Sequence, residues 1–213
     1  MAGFAMYDAS LNGYLDELLP ERPPVVREME LYAEEKGFPF IGPQVGRVLT
    51  TLAMMSRAKR VFEMGSGYGY SAYWFLQGMS PEGRVIMTDG SDANRKLAMF
   101  HHDRLGTKDR VEFHVGNAVD ILRETDGPFD IIFNDIDKEQ YPDAYHAAVH
   151  KLHPGGLFIT DNTLWSGRVA DKSNKDEATE GVREFNRLLF ADWDLFPVIL
   201  PIRDGLAVAV KKG

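Results

Sequence analysis

The chain has no cysteine among its 213 residues. That excludes disulfides, a thiolate metal site and a cysteine nucleophile, and it is compatible with a cytoplasmic setting. No apolar run approaches the roughly 20 residues of a membrane span. The amino terminus has no basic start and carries Asp8, Asp16 and Glu17 among its apolar residues, so a secretory leader is not expected. Positive charge is also in deficit. The formal net charge of −8 argues against coating nucleic acid non-specifically, although a local basic patch such as Arg57, Lys59 and Arg60 stays open. That patch reads first as a solvated helix end. Internal repeats and low-complexity stretches are absent.

What is present is organised around Val61–Ser71, VFEMGSGYGYS. An apolar run meets glycines at 65, 67 and 69, and a second apolar run follows at once. The pattern reads as strand, tight turn and helix, with the turn able to approach a ligand closely. Gly65, Ser66 and Gly67 form the candidate cradle, but Tyr70 stands where a dinucleotide fingerprint needs its third glycine. By itself the spacing is weak.

Periodicity and punctuation predict helices over 12–19, 24–36 and 43–55, then an alternation. Strands are expected at 60–64, 84–88, 111–115, 129–134 and 157–160. Helices are expected at 70–77, 92–105, 118–124, 141–152 and 180–190. Two closing strands at 193–200 and 206–210 are joined by a turn at 201–205. This is α/β: a doubly wound, mostly parallel sheet ending in an antiparallel hairpin. The length suits a single domain, with a helical region over 1–58 and a sheet core over 59–213. The amino-terminal helices could cover a sheet edge, form a dimer contact or wall a substrate pocket. Residues 162–179 form the longest expected loop, leaving a strand end on the ligand-binding side.

Candidate chemistry sits at strand ends. Asp89 ends the second strand, where an acid can accept both ribose hydroxyls; Asp92 is the better candidate for capping the next helix. A glycine turn plus Asp89 indicates a nucleoside-containing cofactor, either a nicotinamide dinucleotide or S-adenosylmethionine. If the strands ending at Asn134 and Thr160 are neighbours, about 5 Å apart, then Asp135, Asp161 and Asn162 can converge as oxygen ligands. Such ligands suit Mg²⁺ or a similar hard cation. Lys138 follows Asp135 by three residues. His101 and His102 read as a solvated helix face, and Trp165 as a cover for substrate or an anchor for the loop.

The segments Glu63–Ala72, Asp135-Ile136-Asp137-Lys138 with Tyr141, Asp161-Asn162-Thr163-Leu164-Trp165 and Asp204-Gly205 occur in this order. On these residues the chain resembles the cation-dependent O-methyltransferases, the group of caffeoyl-CoA and catechol O-methyltransferases and small bacterial relatives. The resemblance implies a seven-stranded class I methyltransferase sheet. It implies S-adenosyl-L-methionine held by Glu63, Gly65, Ser66, Gly67, Tyr70, Ser71, Asp89, Asn117 and Ala118, with Asp135 in contact and Asp137 near the methionine end. It further implies Mg²⁺, or Mn²⁺ or Ca²⁺, on Asp135, Asp161 and Asn162, with Lys138 beside the accepting hydroxyl and Asp135 and Lys138 as the catalytic pair. Trp165 would face a small hydroxylated aromatic substrate, and a homodimer is implied. Methylation of a hydroxylated tRNA base, a nicotinamide-dependent oxidoreductase and a non-catalytic nucleoside-binding protein are the alternatives. Asn134, where the family has an apolar residue, and Gly90-Ser91 depart from the pattern.

Overall fold

A computed structural model describes residues 9–213; Asp8 and the rest of the expected amino-terminal reading over 1–8 lie outside it. Three helices come first: α1 (Ala9–Glu17), α2 (Pro24–Lys36) and α3 (Gly42–Ser56). The helix expected at 12–19 begins three residues earlier. Proline opens α2, where its missing N–H costs nothing, and Gly37 closes it in the left-handed region at φ 62°.

The alternation follows as β1 (Arg60–Met64), α4 (Tyr70–Gly78), β2 (Arg84–Asp89), α5 (Asp92–Arg104), β3 (Val111–Val115), α6 (Ala118–Glu124), β4 (Phe129–Asn134), α7 (Tyr141–Ala148), β5 (Leu152–Thr160), α8 (Glu177–Ala191), β6 (Leu195–Leu200) and β7 (Leu206–Lys211). One sheet has the order β3-β2-β1-β4-β5-β7-β6. Five strands are parallel; β7 runs antiparallel to both β5 and β6. The fold is therefore the expected seven-stranded class I methyltransferase sheet. Strand order reverses between β1 and β4, and the crevice beyond their carboxyl ends is where an open α/β sheet holds a ligand.

Most boundaries that moved have local causes. The helix expected over 141–152 stops at Ala148, tightens into a 3₁₀ turn (Val149–Lys151) and hands over to β5. That strand starts five residues before the expected 157, running through Pro154-Gly155-Gly156, residues that normally interrupt a strand. The helix expected from 180 starts at Glu177, because Asp176 caps it by accepting the Thr179 N–H at 2.8 Å. The 162–179 loop contains a 3₁₀ segment, Trp165–Ala170.

Apolar side chains fill both faces of the sheet. Val61, Val85, Ile131 and Phe133 pack on one face with α2, α3 and α4, while Phe62, Ile132 and Phe158 pack on the other with Tyr141 and Phe185. No described helix is long and apolar enough to cross a membrane.

Candidate active site

The turn between β1 and α4 is held by its neighbour β2. Gly65 and Ser66 both donate backbone N–H groups to the Thr88 carbonyl, at 3.1 and 2.7 Å. Gly65 adopts φ 83°, and a Cβ there would lie 2.3 Å from the Asp135 carbonyl oxygen, so no other residue fits without moving β4. Asp89 accepts from Gly67 N–H at 3.1 Å and Ser91 N–H at 2.8 Å, and from the Asn94 amide at 3.0 Å. The carboxylate is thereby aimed at the glycine turn. The cap of α5 is Ser91, which accepts from Asn94 N–H; Asp92, expected in that role, pairs with Arg95 and Lys96 in the first turn instead.

Glu63 lies behind the turn, fully buried, and takes a short hydrogen bond from Ser71. Burial pushes its carboxyl up to about 7. Its other oxygen has no partner. Tyr70 turns its hydroxyl away toward α2, donating to Glu30 at 2.8 Å, and Glu30 is also clamped by Arg22 at 2.6 and 3.0 Å.

His101 and His102 are buried, contrary to the expected solvated face. His102 Nε2 donates to the Gly69 carbonyl at 3.1 Å, and its Nδ1 meets the Thr107 hydroxyl at 2.8 Å. Gly69 has φ 85°, and a Cβ there would lie 2.9 Å from that ring nitrogen. The pair buttresses the glycine turn from outside. The missed signal was position: His101 and His102 follow Ala98 by three and four residues and share its buried helix face.

A second cluster forms at the ends of β4 and β5, which are neighbours in register at Asn134 and Thr160. Asp135 donates its backbone N–H to the Met64 carbonyl at 2.9 Å, and Asp161 donates to the Asn134 carbonyl at 3.1 Å. The two carboxylates therefore leave adjacent strand ends. Burial raises the pKa of both; Asp161, which also feels Asp135, is pushed up to about 7. Asp161 Oδ1 is buried without a partner. Asn162 follows in the left-handed region at φ 56°. The Tyr141 hydroxyl donates to the Asp161 carbonyl at 2.9 Å and fixes that corner.

Lys138 reaches Asp135 Oδ1 at 3.1 Å and the Ile136 carbonyl at 3.0 Å. Its ammonium lies 5.2 Å from the Tyr141 ring and 5.6 Å from the Trp165 ring, within cation–π range. Its backbone is set by α8, where a Cβ at Gly181 would lie 2.3 Å from the Lys138 carbonyl. Trp165, at φ 48°, is carried on a turn pinned to the last hairpin: Thr163 and Leu164 donate to the Gly205 and Asp204 carbonyls, both at 2.9 Å, and Ser166 N–H donates to the Asp204 carboxylate.

One cavity of about 1140 Å³ joins the two clusters. At one end lie Gly65, Ser66, Gly67, Asp89, Asn117 and Ala118; toward the other lie Asp135, Asp137, Lys138, Asp161, Asn162 and Trp165. Tyr70 and Ser71 also reach it, while Glu63 stays behind the wall. Asn117 caps α6 through its side chain, accepting from Val119 and Asp120 N–H. Phe38, Phe40, Arg203 and Asp204 are also among the lining residues. Of the roles open to the amino-terminal region, walling a pocket is therefore one it fills. Among the described residues no three His, Cys, Asp or Glu side chains are grouped to hold a metal; the cluster is two carboxylates and an amide.

Comparison with known proteins fits this arrangement. Residues 25–212 match the family model described as O-methyltransferase. A catechol O-methyltransferase from Niastella koreensis is 32% identical over 214 residues, covering 95% of this chain and 97% of its own. Among solved structures, the O-methyltransferase from Bacillus cereus in complex with SAH superposes with a TM-score of 0.88 at 28% identity, over 95% of this chain and 97% of that one. The O-methyltransferase TomG from Streptomyces achromogenes, involved in tomaymycin synthesis and solved with SAM, gives 0.87 at 27% identity over 96% of each chain. The chain belongs to the O-methyltransferase family and is an O-methyltransferase.

Proposed function

We propose that the cavity transfers a methyl group from S-adenosylmethionine to one of two adjacent hydroxyls on a small aromatic molecule, with a divalent cation on Asp135, Asp161 and Asn162. The observation that carries this reading is the pair of carboxylates on adjacent strand ends, opening into the same cavity as the glycine turn. The solved relatives bound to SAH or SAM support the donor, and the catechol O-methyltransferase relative supports the acceptor class.

The donor set fits a hard cation. It is all oxygen, it contains a buried carboxylate oxygen with no partner, and burial holds both acids above their usual range. A bound cation would supply the positive charge that makes an acceptor hydroxyl easier to ionise and would orient two neighbouring oxygens at once.

The chain's own groups do the rest. The backbone of Gly65–Gly67 leaves room for the donor, and Asp89 is placed to accept the ribose hydroxyls. The methyl group arrives on a sulfonium and is already activated, so catalysis is mainly alignment. Lys138, held between Asp135 and two aromatic rings, would take the acceptor's proton or balance the resulting anion. Trp165 lines that end of the cavity.

The test is product mass. The purified protein is incubated with S-adenosylmethionine and a panel of vicinal diphenols, with Mg²⁺ or with chelator. A gain of one methyl that requires the cation supports the reading; no product from any diphenol in the presence of Mg²⁺ removes the acceptor class.

A further inference from the structure

Two cationic side chains line the cavity, Lys138 and Arg203. Lys138 is committed to Asp135. Arg203 makes no ion pair among the described residues; its contacts are one hydrogen bond, from Nη1 to the Phe40 carbonyl at 2.7 Å, and the Phe40 ring at 5.9 Å. A guanidinium offers five donors, so most of this one is unspent.

Arg203 is exposed and stands at the rim of the cavity. Its own backbone sits at φ 48°, in the left-handed region that a long side chain rarely adopts. Gly42, at φ 70°, lies alongside: a Cβ there would come within 2.8 Å of Arg203 Nη1, the movable end of that side chain. The Phe40 carbonyl then fixes the fork from the side of the amino-terminal segment. The charge sits at the acceptor end, where it acts on Asp135, Asp161 and Asp204.

We propose that Arg203 is a specificity residue that binds an anionic substituent, a carboxylate, on the aromatic acceptor. Arginine pairs with carboxylates through two parallel N–H donors, and Arg203 lines the cavity with only one of its donors engaged, on the Phe40 carbonyl. This rests on the O-methyltransferase reading of the same cavity. The preferred acceptor is then a vicinal diphenol bearing a carboxylate away from the reacting hydroxyls, ahead of its neutral ester.

The test compares 3,4-dihydroxybenzoate with its methyl ester, both by turnover with S-adenosylmethionine and by calorimetric binding to the SAH-loaded, Mg²⁺-containing protein. The wild type is expected to favour the acid about tenfold in both readouts, as for a hydrogen bond to a charged group, with the ratio shrinking at high salt. In R203Q the ratio falls toward one, and R203K lies between. An acid-to-ester ratio of one in the wild type, or an unchanged ratio in R203Q, overturns the assignment. Arg203-dependent preference in binding without methylation of either compound keeps the assignment and removes the functional reading instead.

Discussion

The ammonium of Lys138 lies 3.1 Å from a carboxylate oxygen of Asp135, at the mouth of two neighbouring strands. The contact links one proposed cation ligand to the group proposed to manage the acceptor's proton. Replacing Lys138 with methionine keeps a long unbranched side chain between Tyr141 and Trp165 but removes the charge that lies over their rings. The expected result is a kcat lower by about a hundredfold or more, with little change in SAH affinity. Single-turnover rates and calorimetry together check it. A large loss of SAH affinity with kcat preserved would place Lys138 on the cofactor instead.

His102 gives a pH dependence with a defined sign. Burial lowers its pKa to about 4, against an ordinary value near 6.5. The fold binds neutral imidazole, so this contribution to stability is complete above about pH 6.5 and is lost as the pH falls toward 4. The full effect is roughly 3 kcal/mol. Glu63, raised to about 7, acts oppositely, losing stability as the pH rises from its ordinary value through 7. The His102 share is therefore read as the difference between wild type and H102Q in urea unfolding at pH 7.5 and 5. The wild type is expected to lose more stability than the variant on acidification; parallel losses would contradict the buried neutral ring.

Asn134 is fully buried in β4, and neither atom of its amide has a partner; the Thr160 hydroxyl, opposite it in register on β5, has none either. Unsatisfied buried polar groups cost about 1–3 kcal/mol each. Asn134→Leu is expected to raise stability by about 1 kcal/mol or more, because it removes that cost at similar volume. Denaturant unfolding checks it, and a loss of stability would show that the amide is satisfied in solution.

Much of the scaffold was legible because its signals are local. Pro24 and Gly37 bracket α2, apolar runs mark β1, β3 and β4, and the predicted bounds of all four elements match those observed. The acid cluster was legible because one residue type sits at two consecutive strand ends, and a doubly wound sheet makes those ends neighbours. The histidine buttress was hidden because His101 and His102 lie in a helix, away from the strand ends where candidate chemistry gathers, which suggested a solvated face. β5 was shortened in the reading because Pro154-Gly155-Gly156 resembles a turn, yet the chain pairs on through it at a bulged register with β4. Arg203 gave no signal. Its hydrogen bond goes to Phe40 and its neighbour is Gly42, both distant in sequence, and only the folded chain brings them together.

Gly65 makes a steric prediction. A Cβ at 2.3 Å from the Asp135 carbonyl cannot be absorbed by a side-chain rotation, since both partners are backbone. Gly65→Ala, already strained by φ 83°, is expected to abolish measurable SAH binding or to destabilise the fold by about 1–3 kcal/mol. Calorimetry and thermal unfolding on the same sample separate the two, and wild-type values in both would contradict the close approach.

The most direct measurement is the initial rate of catechol methylation as a function of Mg²⁺ concentration, in the wild type and in Asp161→Ala, starting from chelator-treated protein. Saturable activation in the wild type and its loss in the variant, with SAH affinity retained in both, is the expected result. Full wild-type turnover in excess chelator, or undiminished Mg²⁺ activation in Asp161→Ala, would contradict the assignment of Asp135, Asp161 and Asn162 to a catalytic cation.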